Sequence, residues 1–155
     1  MKKNPQQRHQ SLFKAGLTPL LLALLWAPSS TATSASKIEA AVASSNRVSS
    51  LSKDELISIL TLQKRQWANG ERIIIILPPI TQPSFSQFVI ERTGFYPYQL
   101  KRRWDRTRFS GRGRAPITAN TPQETIELLK KTPNALVFLP ADLSDKEVKY
   151  VTSND

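Results

Sequence analysis

An α/β layered domain is the fold class this sequence predicts, and three observations lead to it. Ile73-Ile74-Ile75-Ile76-Leu77 and Ala135-Leu136-Val137-Phe138-Leu139 are unbroken apolar runs of strand length, the pattern of strands covered on both faces. Between and before them lie segments with apolar residues at helical spacing, opened by Ser- or Thr-led start signals. Gly and Pro separate the two kinds of element, and strands alternating with helices imply right-handed crossovers in a layered domain.

Taken in order, Ile38 to Ala43 is a short apolar run with the character of a buried strand, and Ser44 to Leu51 is a polar loop. Ser52-Lys53-Asp54-Glu55 has the form of a capping box, in which Ser accepts from the third residue's N–H and Glu reaches back. The helix it opens carries Leu56, Ile59, Leu60 and Gln63 on one side. Asn69-Gly70 marks a turn into the Ile73 strand, which Pro78-Pro79 ends. Ser84-Phe85-Ser86-Gln87 reads as a second capping box, for a helix with Phe88, Val89 and Glu91 that Gly94 closes. Pro97 suits the first turn of another helix, with Leu100 and Trp104 at i, i+4 on its inner face. Phe109 to Asn120 reads as a loop punctuated by Gly and Pro. Thr121-Pro122-Gln123-Glu124 combines a cap, an N1 proline and a returning Glu, so a helix runs to about Lys131. Val148 to Thr152 is a last, outer strand, with a helix beginning at Ser144 as the alternative.

The first 35 residues read differently. Lys2, Lys3, Arg8 and Lys14 stand with no acid among them, Leu17 to Trp26 is almost wholly apolar, and Ala27-Pro28-Ser29-Ser30-Thr31-Ala32 is small. This is the layout of a secretory signal peptide, with an apolar core short of the roughly 20 residues a spanning helix needs. Cleavage is expected after Ala32 or Ala35, which places residues 36–155 as one domain in the periplasm or outside the cell, with no stable membrane span.

Removing that segment also removes Met1 and His9, the only Met and the only His, and the chain has no Cys. No disulfide framework, thiol nucleophile or His-based triad is available, and the usual Zn, Cu and Fe–S ligands are missing. The acidic pairs Asp54/Glu55, Glu124/Glu127 and Asp142/Asp145 do not read as poised acid–base pairs, and no Ser sits in a nucleophile elbow. The expectation is a binding protein with no cofactor and no metal, not an enzyme.

Charge is the sharper signal. With Lys2, Lys3, Arg8 and Lys14 gone, the 22 Lys and Arg fall to 18 against 12 Asp and Glu, a net of +6. Residues 101–114 hold Lys101, Arg102, Arg103, Arg106, Arg108, Arg112 and Arg114 against Asp105 alone, which accounts for all of it. Basic residues interleaved with Trp104 and Phe109 suit a polyanionic surface or an acidic partner protein; export argues against genomic nucleic acid. A second candidate is the start of the Ser84 helix, where the N–H groups of Ser84, Phe85 and Ser86 and the helix dipole favour an anion. The bland alternatives are a solvated helix face and a serine that caps its own helix.

The order of these features resembles the phosphate-binding proteins of ABC transporters, of the type II periplasmic binding protein superfamily. Val48 to Leu51 precedes the capped helix Ser52–Leu62. Trp67-Ala68-Asn69-Gly70-Glu71-Arg72-Ile73 is similar to that family's tryptophan, polar-glycine turn and strand. Ser84 to Phe88 resembles its Ser-led helix with an inward Phe. Trp104 to Pro116, through Phe109-Ser110-Gly111-Arg112-Gly113, resembles a loop of short, one-lobed members. Pro133-Asn134-Ala135-Leu136-Val137-Phe138-Leu139 stands where the family has Pro-Gly-Ala-Ile-Gly-Tyr-Val. The resemblance implies a single three-layer lobe with a mixed, mostly parallel sheet flanked by helices, and a small oxyanion, phosphate above all, as ligand, in transport or sensing. The sequence departs from the pattern in holding one lobe instead of two. It also has Gln82-Pro83-Ser84-Phe85-Ser86 where a glycine-containing phosphate loop is expected.

Overall fold

In a computed structural model of the chain, residues 36–154 are described; the expected signal peptide, 1–35, lies outside them. The elements are β1 (Ile38–Ala43), β2 (Ser50–Ser52), α1 (Lys53–Leu60), β3 (Ile74–Leu77), α2 (Pro83–Thr93) and α3 (Pro97–Phe109). β4 (Ile117–Thr118), α4 (Pro122–Lys131), β5 (Ala135–Pro140), β6 (Val148–Tyr150) and β7 (Thr152–Asn154) follow. A five-stranded sheet has the order β4-β3-β5-β1-β6, and β2 and β7 form a separate parallel pair.

The alternation of side chains along each strand divides the core in two. On one face Ile38, Ala40, Val42, Ile75, Leu77, Leu136 and Phe138 pack with Leu56, Ile59 and Leu60 of α1, Phe85, Phe88 and Val89 of α2, and Leu100 and Trp104 of α3. On the other, Ala41, Ala43, Ile76, Ala135, Val137 and Leu139 pack with Ile126 and Leu129 of α4. The three-layer arrangement follows, and the unbroken apolar runs are explained: both faces of β3 and β5 are covered. Phe138 meets Phe85 and Phe88 edge-on at 5.4 and 5.3 Å between ring centroids, a geometry that suits the ring quadrupoles.

The sheet is mixed, with parallel pairings as half of its four and not the majority. β3 runs parallel to β4 and β5. β1 is inserted between β5 and β6 and runs antiparallel to both. The expected outer strand at Val148 to Thr152 divides in two: the Val151 N–H reaches the Ala40 carbonyl at 2.9 Å, and Thr152 then turns to the Ser49 carbonyl at 3.1 Å, joining β2. The alternative helix from Ser144 does not form. β4 lies inside a stretch expected to be a loop, and β2 spans the end of another and the Ser52 cap that follows it.

Helix starts differ in an instructive way. Ser52 Oγ accepts from the Glu55 N–H at 3.1 Å, but the Glu55 carboxylate pairs with Lys64 instead of reaching back. Thr121 Oγ1 accepts from the Glu124 N–H at 3.1 Å, while Glu124 accepts from the Asn120 N–H at 2.7 Å. Ser84 is not a cap. Gln82 holds that position and Pro83 takes N1, where its fixed φ and missing N–H cost nothing.

Two tryptophan N–H groups tie the layers together. Trp67 Nε1 donates to the Asn134 carbonyl at 2.9 Å, joining the Asn69-Gly70 turn to the start of β5. Trp104 Nε1 donates to the Leu60 carbonyl at 2.6 Å, one of the carbonyls left without an intrahelical partner at the end of α1. Replacing Trp104 by Phe leaves that buried carbonyl unpaired and creates a small void, so urea unfolding should show a loss of about 2–3 kcal/mol. An unchanged midpoint would mean that α3 is seated by other contacts.

Candidate functional site

The two regions singled out in the sequence are built very differently. At the start of α2, Pro83 has no N–H and the Ser86 N–H is already bonded to the Gln82 carbonyl at 2.9 Å. That leaves Ser84 and Phe85 as first-turn donors. The Ser84 hydroxyl accepts from the Gln82 side-chain amide at 3.0 Å, and the Ser86 hydroxyl donates to the Ile80 carbonyl at 2.9 Å. The Phe85 ring is fully buried against Phe88 and Phe138. The two hydroxyls of the turn are therefore bonded within it, Ser84 to a side chain and Ser86 to the backbone. Ser84 lines a groove of about 300 Å³ whose charged residues, Lys37, Glu91 and Arg92, bring both signs.

The basic stretch is presented outward. Leu100 and Trp104 form the buried stripe of α3, and Arg102, Arg106 and Phe109, at i, i+4 and i+7, lie on the opposite stripe. All seven basic residues of 101–114 are exposed. Lys101 pairs with Asp105 at 2.7 Å; the other six make no ion pair among the described residues. Arg103 lies over the Phe95 ring at 5.6 Å, covering apolar surface as its place beside the buried stripe implies, and Arg108 lies over Phe109 at 4.9 Å.

The end of α3 is locked, not frayed. The Gly111 N–H bonds the Arg108 carbonyl at 3.1 Å and the Arg112 N–H bonds the Thr107 carbonyl at 3.2 Å, the paired bonds of a Schellman motif. Gly111 has φ +66°, which for a residue with a Cβ costs about 1–2 kcal/mol.

A residue group absent from the sequence expectations joins this tip. Arg65 Nη1 donates to the Arg112 carbonyl. Arg65, Arg72 and Arg114 rim a cleft of about 80 Å³ floored by Leu62, Ile74 and Ile117. Arg65 and Arg72 flank the Asn69-Gly70 turn, where the Ile73 N–H bonds the Arg65 carbonyl at 2.9 Å. Leu62 makes the approach by adopting φ 61°, a left-handed conformation outside glycine of the kind found near functional surfaces. Tyr150, on β6 and outside both regions, is pushed above its usual value of 10.0 by burial and by Asp142. Among the described residues no group of three or more metal-ligating side chains converges, and no helix is long and apolar enough to cross a membrane.

No protein-family model matches the sequence, and no curated protein matches it. Solved structures do match in three dimensions. A protein from Clostridium perfringens, assigned as a phosphate ABC transporter substrate-binding protein and solved with bound phosphate, superposes with a TM-score of 0.60 at 15% identity, over 76% of this chain and 45% of that one. An ABC-type phosphate transport receptor from Vibrio cholerae gives 0.50 at 16% identity, over 76% and 46%. PstS from Borrelia burgdorferi gives 0.57 at 12%, over 77% and 48%. The fold is that of one lobe of a phosphate-binding receptor. The chain spans less than half the length of these proteins, and the likeness establishes architecture, not ligand.

The α2 geometry sets an expectation for phosphate. Two N–H donors in a turn with no glycine should hold inorganic phosphate at sub-millimolar to millimolar strength at best, about −4 kcal/mol. Isothermal titration calorimetry checks this, and a micromolar complex weakened by Ser84→Ala and Ser86→Ala together would show that the turn opens to a ligand.

Proposed function

We propose that this chain is an exported, single-lobe anion-binding module whose recognition surface is the basic face of α3 and the tip that follows it. It acts outside the cytoplasm after removal of the first 32–35 residues, and it holds a polyanionic surface or an acidic partner. The observation that carries the reading is the contrast between the two candidate regions. The side chains at the start of α2 are bonded to their own turn, whereas Arg102, Arg103, Arg106, Arg108, Arg112 and Arg114 are exposed and without carboxylate partners among the described residues. Guanidinium groups suit this task, because their planar donor forks match carboxylate and phosphate oxygens.

A second reading, weak binding of a small oxyanion such as phosphate at Ser84, Phe85 and Ser86, is favoured by the phosphate bound in the Clostridium perfringens structure. The two readings share an architecture and differ in where the anion sits.

Heparin chromatography separates them. Retention should fall steeply from low to physiological salt, because each neutralised anionic group releases counterions. Replacing Arg102, Arg103 and Arg106 with Gln should abolish most of it while leaving the unfolding midpoint nearly unchanged, since exposed charges contribute little to folding. A stability loss confined to Arg103→Gln would assign that residue to packing over Phe95. Undiminished retention in the triple variant would overturn the basic-face reading.

A further inference from the structure

The most exposed large apolar side chain among the described residues is Phe109, at 78%, and it stands in the middle of the basic face. Isolated exposed apolar residues are common on protein surfaces, but this one is fixed in place by its surroundings. It occupies the last helical position of α3, immediately before the Schellman bonds of Gly111 and Arg112. The Arg65 contact to the Arg112 carbonyl ties the following turn to the body of the domain. The ring therefore cannot fold back into the core without breaking that cap. Arg102 and Arg106 lie on its own helical stripe, Arg108 packs its guanidinium on the ring, and Arg112 and Arg114 follow in the turn. The only carboxylate in the stretch, Asp105, is held by Lys101.

We infer that this tip docks on an anionic phospholipid surface, with the Phe109 ring entering the interfacial region and the surrounding arginines meeting lipid phosphates. The inference rests on the basic-face reading above and adds to it an apolar component. Charge complementarity selects an anionic bilayer, because a face of +6 with one neutralised acid attracts acidic headgroups and is held to the surface within a Debye length. The fixed, exposed ring selects a bilayer over a soluble polyanion, since a heparin-like chain offers no apolar phase for it. One ring with a polybasic surround gives reversible peripheral binding, not anchoring.

The absence of cysteine from the sequence permits a single reporter. Phe109→Cys and, as a control on α4, Glu127→Cys are labelled, in the form that lacks the first 35 residues, with an environment-sensitive fluorophore. They are mixed with vesicles of phosphatidylglycerol and phosphatidylcholine, or of phosphatidylcholine alone. The label at 109 should brighten and shift to the blue only with the anionic vesicles and be quenched by brominated acyl chains, while the label at 127 stays aqueous. Phe109→Ser should lower vesicle partitioning, measured by sedimentation against the unlabelled parent, by about tenfold, a larger loss than it causes in heparin retention. A 109 label that stays aqueous on vesicles that hold the protein would overturn insertion. Heparin retention with no preference for anionic over neutral vesicles would overturn the lipid partner and keep the basic face. Failure of the parent to bind either heparin or anionic vesicles would overturn the basic-face reading itself.

Discussion

The hydrogen bond from Trp104 Nε1 to the Leu60 carbonyl fixes how α3 is rolled on the domain, and the presentation of the basic face depends on that roll. A helix with six arginines and one lysine on and beyond it has little apolar surface with which to choose its orientation. Leu100 and Trp104 supply it. With that stripe buried, the 3.6-residue period sends Arg102, Arg106 and Phe109 to solvent. Trp104 does so while satisfying a carbonyl at the end of α1, so the same contact closes one helix and aims another. The Schellman turn at Gly111 then carries the charge beyond the helix into a fixed tip, where Arg65, in the segment after α1, reaches it.

The two ways of meeting an anion in this fold make opposite structural demands. A small ion needs convergent N–H donors, close backbone approach and exclusion of water. A polyanion needs spaced, solvent-facing cations on a rigid support. The turn before α2 meets the first set only in part, with two N–H donors, a proline at N1 and hydroxyls bonded within the turn. The end of α3 supplies the second. The likeness to phosphate-receptor structures extends to the layers and the sheet, while the local chemistry of the chain decides where charge is available.

Much of this architecture was legible in the sequence. Ile73–Leu77 and Ala135–Leu139 declared two doubly covered strands, and Ser52 and Thr121 announced helix starts that the structure keeps. The order of motifs pointed to the receptor lobe. What failed to show had physical reasons. Ser84 was read as a cap, but Pro83 ahead of it takes N1 and moves the cap to Gln82. β2, β4 and β7 are two or three residues long and exist because distant segments pair, which no local pattern records. Arg65 and Arg72 follow the same logic. The Asn69-Gly70 turn that brings them together was visible, and their position near Arg112 and Arg114 was not, since it arises from contacts between segments distant in the sequence. The readings of residues 1–35 concern a part of the chain outside the described structure.

The central claim is that anion recognition resides at the α3 face and not at the start of α2. A 1H–15N NMR titration of residues 36–155 with a short sulfated oligosaccharide tests it residue by residue. The account predicts progressive shifts at the amides of 101–114, extending to Arg65 and Arg72, with Ser84, Phe85 and Ser86 unmoved. Shifts concentrated at Ser84 to Ser86, with the α3 face silent, would contradict it.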